Sequence, residues 1–234
     1  MQLEVGPRAG RSVGGAVVIF DCNGVLVDSE PIAARVAAEE FARAGFAVTP
    51  EIVSRFFTGR RTADMCAAIE AATKRKLPPN FASVLAAATL RRFRTELRAM
   101  PHVAHALTWI RGPKCVASAS GIDRIRVSLE ATGLLRFFEP NLFSATNVAR
   151  GKPAPDLLLH AAEKMKTKPR DCIVVEDSAV GVAAAVAAGM TAIGYVGGGH
   201  AGAQLPKQLT DAGAKAVIAD MRALKGTIVA LRGW

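Results

Sequence analysis

Four short apolar runs in this chain each end on side chains able to handle an anion or a metal ion. "VVIF" runs into Asp21, with Asn23 two residues later. "KCVAS" ends in Ser118 and continues as Ala119-Ser120-Gly121, and "NLFSA" is followed by "ARGKPAP", which carries Lys152. "CIVVE" closes on Glu176, followed by Asp177 and Ser178. Each has a structural competitor: Asp177 as a helix cap, Ser118 and Ser120 as acceptors for turn amides, Lys152 as a surface charge before a Pro-started helix. Four strand ends delivering carboxylate, hydroxyl, amine and carboxylate are harder to explain that way. In an open parallel sheet ligands sit beyond the carboxyl ends of the strands. These types at one rim make an anion site with a metal: two carboxylates for Mg²⁺, a lysine and a serine for phosphate oxygens.

The elements that must position them follow from the same runs. "AVVIF" (16–20), "KCVAS" (114–118), "NLFSA" (141–145), "CIVVE" (172–176), "TAIGYV" (191–196) and "AVIAD" (216–220) have the length and composition of buried parallel strands. Ala/Leu-rich helical stretches alternate with them: 122–133 ending on a Gly, 155–165 with Pro at its start, and 178–189. The expectation is an α/β protein with a doubly wound, mostly parallel sheet, its core formed by residues 16–30 and 101–234. Residues 31–100 break the rhythm with three helix-like pieces (32–45, 62–76 and 81–100) and no strand, so they read as a helical insertion. "VLVDSEP" and "MPHVAHAL" are its candidate hinges. Residues 1–15, Gly-rich and polar, read as a flexible start without the apolar centre of a signal peptide.

Composition narrows the function classes. The chain has 234 residues, half of them hydrophobic, and a net charge of +10. Residues 31–100 hold 12 Lys/Arg against 6 Asp/Glu and so carry +6 of it. With a single Tyr and no interleaving of basic and aromatic residues, this charge fits a solvated face or an electrostatic funnel for a small anion better than nucleic acid. No apolar run approaches the roughly 20 residues of a membrane span. The four cysteines are widely spaced with no C-x-x-C pair, which argues against a zinc site or a disulfide framework and makes a reduced, cytoplasmic protein the default. The four histidines occupy none of the motifs above and are expected at surface or hinge positions.

"FDCNGVLVDSE", "VASAS", "GKPAPD" and "VVEDSAVGV", in that order, resemble the four motifs of the haloacid dehalogenase superfamily, in its beta-phosphoglucomutase-like and sugar-phosphatase branch. The insertion after the first motif resembles that branch's small helical cap. The resemblance implies a Mg²⁺-dependent phosphatase-like hydrolase of small phosphorylated metabolites, sugar phosphates in the first instance. Asp21 would be the nucleophile that becomes an aspartyl phosphate. Mg²⁺ would be held by the Asp21 and Asp177 carboxylates and the main-chain carbonyl of Asn23, with Glu176 in direct contact or one step behind. Ser118 and Ala119 would bind the phosphate, and Lys152 would neutralise the transferring group and restrain Asp21. In the cap loop "FFTGRRTAD", Arg60 or Arg61 would clamp a second phosphate or a carboxylate on the substrate, with a solvated helix-entry charge as the competing reading.

Asn23 departs from the pattern. Phosphatase and mutase members of the family have an Asp there, which protonates the leaving oxygen and then activates water; an amide has no proton to trade at neutral pH. The metal site should survive, because this residue contributes its carbonyl, while turnover should fall by roughly 10²–10⁴-fold. The alternatives are a phosphosugar mutase of the beta-phosphoglucomutase kind, a 2-haloacid dehalogenase, whose family members also lack this Asp, and a catalytically silent phosphometabolite-binding protein. A Schiff-base phosphonate route is disfavoured, because the cap loop offers arginines where a lysine would be needed.

Overall fold

The structure is a computed structural model and describes residues 17–57 and 60–232. The expected flexible start at 1–15 lies outside the described residues. Six strands form one parallel sheet: β1 (Val17–Phe20), β2 (Lys114–Ser118), β3 (Leu142–Ser144), β4 (Cys172–Glu176), β5 (Thr191–Tyr195) and β6 (Ala216–Ile218), in the order β3-β2-β1-β4-β5-β6. That order reverses between β1 and β4, so the sheet's switch-point crevice opens between the ends of these two strands.

Ten helices complete the described residues: α1 (Glu30–Arg43), α2 (Pro50–Phe57), α3 (Thr62–Thr73), α4 (Phe81–Glu96), α5 (Val103–Trp109), α6 (Ile122–Ala131), α7 (Asp156–Lys164), α8 (Ala179–Ala187), α9 (Leu205–Asp211) and α10 (Leu224–Arg232). None is long and apolar enough to cross a membrane.

Alternation along the strands divides the core in two. Val18, Phe20, Val116, Ile173, Val175 and Ile193 face a cluster completed by Leu107 of α5, Ile125 and Leu129 of α6 and Leu224 of α10. Val17, Ile19, Cys115, Ala117 and Val174 face the opposite side, covered by Leu157 and Leu158 of α7, Val182 of α8 and Leu209 of α9. Helices α1–α4 lie between β1 and β2 in sequence, and their buried residues (Phe41, Val53, Ile69, Leu85 and Phe93 among them) are continuous with the first cluster.

Two elements differ from expectation inside this interval. α2 was not legible in the sequence: it has only eight residues, too few for a periodic stripe, and starts where Thr49 Oγ1 accepts a hydrogen bond from Ile52 N at 3.3 Å. The helix expected over 81–100 stops at Glu96, because the next residues pair with the other connection. Ala99 bridges Val27, Met100 N donates to Leu26 O (2.9 Å) and Asp28 N donates to Arg98 O (3.0 Å). The two candidate hinges therefore run side by side, tied by main-chain hydrogen bonds.

Candidate active site at the sheet switch point

β1 delivers Asp21 because the β1–β4 ladder continues one residue past it: Asp21 N donates to Val175 O at 3.0 Å. The chain then turns sharply. Leu26 N and Val27 N both donate to Cys22 O, Gly24 N donates to Val27 O (2.8 Å), and Gly24 takes a left-handed φ of +73°. Only glycine adopts that conformation without strain. A Cβ at Gly24 would also lie 1.8 Å from Asp177 Oδ2, so the turn makes room for the carboxylate arriving from β4.

Lys152 comes from the loop between β3 and α7, which is braced by Arg150 on Asp156 (2.8 and 3.1 Å) and by Ala154 N on Gly151 O (3.0 Å). Its buried ammonium donates to Asp21 Oδ1 (2.6 Å), Ala117 O (3.3 Å) and Glu176 Oε1. The side chain is 1% exposed, so the surface-charge reading of Lys152 is excluded. Burial opposes the charge on Lys152, but Asp21 and Glu176 more than offset it and its pKa is raised. Burial raises the Asp21 carboxyl, with Lys152 pulling the other way and Asp177 adding repulsion. Burial likewise pushes Glu176 up to about 8 against the pull of Lys152.

Glu176 was expected in direct contact with the metal or one step behind it. Its two oxygens are instead engaged by Lys152 and by Ser178 Oγ (3.1 Å), so its geometry is that of an anchor for Lys152. Ser178, not Asp177, caps α8, accepting from Gly181 N at 3.1 Å. That leaves the Asp177 carboxylate free of the capping role.

The oxygens left for a divalent cation are those of Asp21 and Asp177 and the main-chain carbonyl of Asn23. Asp177 Oδ2 is buried without an aligned hydrogen bond, beside the turn that carries the Asn23 main chain, and its charge bears on Asp21. Buried, like-charged oxygen donors of this kind suit a hard cation completed by water and substrate. Among the described residues no group of three or more His, Cys, Asp or Glu side chains is placed to hold a metal ion by itself.

His200 is a residue the sequence reading placed at the surface or in a hinge. Its side chain is 5% exposed and its Nε2 stands 3.0 Å from Asp177 Oδ2. Burial opposes its charge, while Asp177, Glu30 and Asp28 raise its pKa overall. The signal was available: "GGGH" follows β5, and the rim argument extends to the end of that strand as well.

Ser118 is fully buried; its Oγ accepts from Ser120 N at 3.3 Å, which leaves the hydroxyl proton free to donate. Ser120 O in turn accepts from Ser144 Oγ at 2.7 Å. The Asn23 side chain is held in this layer, its Nδ2 donating to Ser120 Oγ at 2.8 Å while its Oδ1 is buried with no hydrogen-bond partner among the described residues.

These residues open on a cavity of about 610 Å³ between the sheet and α1–α4, lined by Asp21, Asn23, Ser118 and Ala119 and, farther out, by Glu30, Arg60, Arg61 and Arg124. The two loop arginines, of which Arg60 or Arg61 was expected as a clamp against the reading of a solvated helix-entry charge, differ in their surroundings. Arg61 is engaged by Asp64 (3.0 and 3.2 Å) and lies against Gly151, where a Cβ would meet its Nε at 3.1 Å. Arg60 is exposed. Glu30 and Arg124 carried no role in the sequence reading.

Comparison with known proteins agrees with this geometry. Residues 16–189 match the family model described as haloacid dehalogenase-like hydrolase. The chain is 33% identical over 174 residues to a 6-phosphogluconate phosphatase of Escherichia coli (strain K12), covering 74% of this chain and 79% of that protein. A conserved haloacid dehalogenase-like protein of unknown function from Agrobacterium tumefaciens superposes with a TM-score of 0.80 at 34% identity, covering 94% of this chain and 100% of that one. A haloacid dehalogenase family hydrolase from Deinococcus radiodurans, solved with bound phosphate and sodium, gives 0.72 at 30% identity, covering 93% and 96%.

Proposed function

The chain belongs to the haloacid dehalogenase-like hydrolases and is a phosphatase of phosphorylated metabolites, and from that premise we propose that it cleaves small sugar phosphates through a phosphorylated Asp21. The observation that carries this is the buried ammonium of Lys152 bridging Asp21 and Glu176 at the switch point of the sheet. The phosphatase relative acting on 6-phosphogluconate and the structural relative with bound phosphate support the same substrate chemistry.

An oxygen of Asp21 attacks phosphorus and the bond from phosphorus to the sugar oxygen breaks, leaving the phosphoryl group on the carboxylate. Water then attacks that phosphorus, inorganic phosphate departs and the carboxylate is restored. Lys152 fixes the Asp21 carboxylate and offsets the repulsion between it and the phosphate dianion. Ser118 donates its hydroxyl proton to a phosphate oxygen. Mg²⁺, held when bound by Asp21, Asp177 and the Asn23 carbonyl, supplies further neutralisation of the transferring charge. Asn23 neither gives the leaving oxygen a proton nor takes one from water, so both transfers are slow. Residues 31–100 act as the lid that closes over the substrate, turning about the paired connections.

Acetyl phosphate tests this directly. Its leaving group needs no proton, so the first transfer proceeds with Asn23 in place while hydrolysis lacks its base. Incubation with Mg²⁺ and acid quenching should leave a phosphoryl group on the peptide containing Asp21, detected by mass spectrometry. If neither this protein nor Asn23→Asp is phosphorylated there, although both bind phosphate, the chain is a metabolite-binding protein.

A further inference from the structure

Arg124 stands out among the charged side chains the mechanism leaves unused. It is the third residue of α6, in the first turn, and lines the same cavity as Asp21. Its guanidinium lies over the ring of Phe93 at 4.9 Å from the centroid, and Phe93, on α4, is itself fully buried. Its Nε is buried with no hydrogen-bond partner among the described residues. Glu30, which lines the same cavity, acts on it through space, and Cys22 and Asp21 more weakly. No ion pair closes between Arg124 and any of the described carboxylates. A buried guanidinium nitrogen without an acceptor is costly to keep, and its presence in a native site calls for a missing partner.

Of the other arginines of the cavity, Arg61 is engaged by Asp64 and Arg60 is exposed, so Arg124 is the one whose Nε is held buried and without an acceptor. A cavity of about 610 Å³ also has room for much more than a phosphate group. Much of its wall is alanine (Ala33, Ala34, Ala37, Ala63, Ala86), which can pack against a carbon chain but cannot select one.

We propose that Arg124 is a specificity residue, receiving a second anionic group, a carboxylate or a further phosphate, on the part of the substrate that is not transferred. Phe93 supports the guanidinium from its ring face, and Glu30, which lines the same cavity, takes a hydroxyl of the intervening carbon chain. The substrate class is therefore a phosphorylated polyol with an anion at its other end. This rests on the phosphatase reading of the site.

The test uses the chain as it stands, because slow turnover leaves equilibrium binding measurable. Calorimetry compares three ligands of equal chain length: a phosphorylated alditol, the corresponding phosphorylated aldonic acid and the alditol bisphosphate. The protein should favour at least one ligand with two anionic ends over the singly phosphorylated alditol by about 10- to 100-fold, the range of a charge-assisted hydrogen-bond pair. The order of the acid and the bisphosphate tells which anion is read. In Arg124→Met the preference should collapse to within about threefold; Arg124→Lys should restore part of it. An Arg124→Met protein that binds all three ligands more weakly but keeps the preference would show a merely structural role, which overturns the proposal. So does an equal affinity for all three in the unaltered protein, a result that needs no variant. Failure of inorganic phosphate to bind at all would instead remove the phosphatase reading beneath it.

Discussion

Asn23→Asp is expected to raise the rate of phosphate release from a sugar phosphate by about 10²–10⁴-fold, which is roughly 3–5 kcal/mol of barrier. The site is shaped for the exchange. Asn23 Nδ2 now donates to Ser120 Oγ at 2.8 Å; with a carboxylate oxygen in its place the serine hydroxyl turns and donates instead, at the same distance. Asn23 Oδ1, buried without a partner, keeps its position and becomes the oxygen that carries the proton. The new carboxyl group joins Asp21 and Asp177 in a buried site, so its pKa moves upward, in the direction a general acid needs. The same crowding costs about 1–3 kcal/mol of stability in the absence of a cation, or a melting temperature lower by some 2–10 °C at this chain length. The assay is release of inorganic phosphate from a panel of sugar phosphates with Mg²⁺, for both proteins side by side. Equal rates, or a drop on introducing Asp, would refute the assignment of position 23 to proton transfer. A large gain together with a lower melting temperature in metal-free buffer is the expected pair of results.

Lys152→Met should lose activity by at least about 10³-fold and destabilise the fold by about 3–5 kcal/mol, because it leaves Asp21 and Glu176 as uncompensated buried carboxyls; denaturant unfolding that shows no loss of stability would contradict the bridging role. Gly24→Ala forces a non-glycine residue to φ +73° and puts a Cβ on Asp177 Oδ2, so Mg²⁺ affinity measured by calorimetry should fall by about tenfold or more, a factor worth about 1.4 kcal/mol; unchanged affinity would mean that Asp177 does not hold the ion. Burial raises the thiol pKa of Cys22 and Cys115, and pushes Cys172 up to about 11. Alkylation of the native protein at mildly alkaline pH should therefore modify half-buried Cys66 before these three, as read by peptide mass spectrometry. Asp220 accepts from Arg222 N at 2.8 Å and from the Arg222 guanidinium, which holds its carboxyl down at about 2. A lowered carboxyl pKa contributes stability that is present above the unfolded-state value of 3.8 and lost as pH falls through about 2, so Asp220→Asn should flatten the acid edge of the stability curve within that interval.

Asp21, Ser118 and Asp177 were legible because each closes or directly follows an apolar run with a polar side chain, and Lys152 because its loop follows the third run. That signal is local. Whether Glu176 meets a metal or a lysine depends on the direction of two carboxylate oxygens, which the order of residues does not encode. Arg124 was hidden for a different reason: within "GIDRIRVSLE" it reads as one of several helix-surface charges, and only the approach of Phe93 from another part of the chain encloses it. His200 lay within reach of the strand-end reasoning, which stopped one strand too early. The shortened end of α4 illustrates a tertiary demand overriding helix propensity: the residues after Glu96 meet their main-chain hydrogen-bonding needs on the neighbouring connection.

The place of β1 has a consequence for how the molecule comes into being. Val17–Phe20 leave the ribosome before both of their sheet neighbours, Lys114–Ser118 and Cys172–Glu176. The central strand therefore waits for both flanks, and pairing at such sequence separation is slow. Asp21 meets the carboxylates of Glu176 and Asp177 only once the β4 segment has docked. A chain ending before β4 holds Asp21 and Lys152 but neither Glu176 nor Asp177, so on the proposed reading its phosphoryl chemistry waits for the insertion of a single strand.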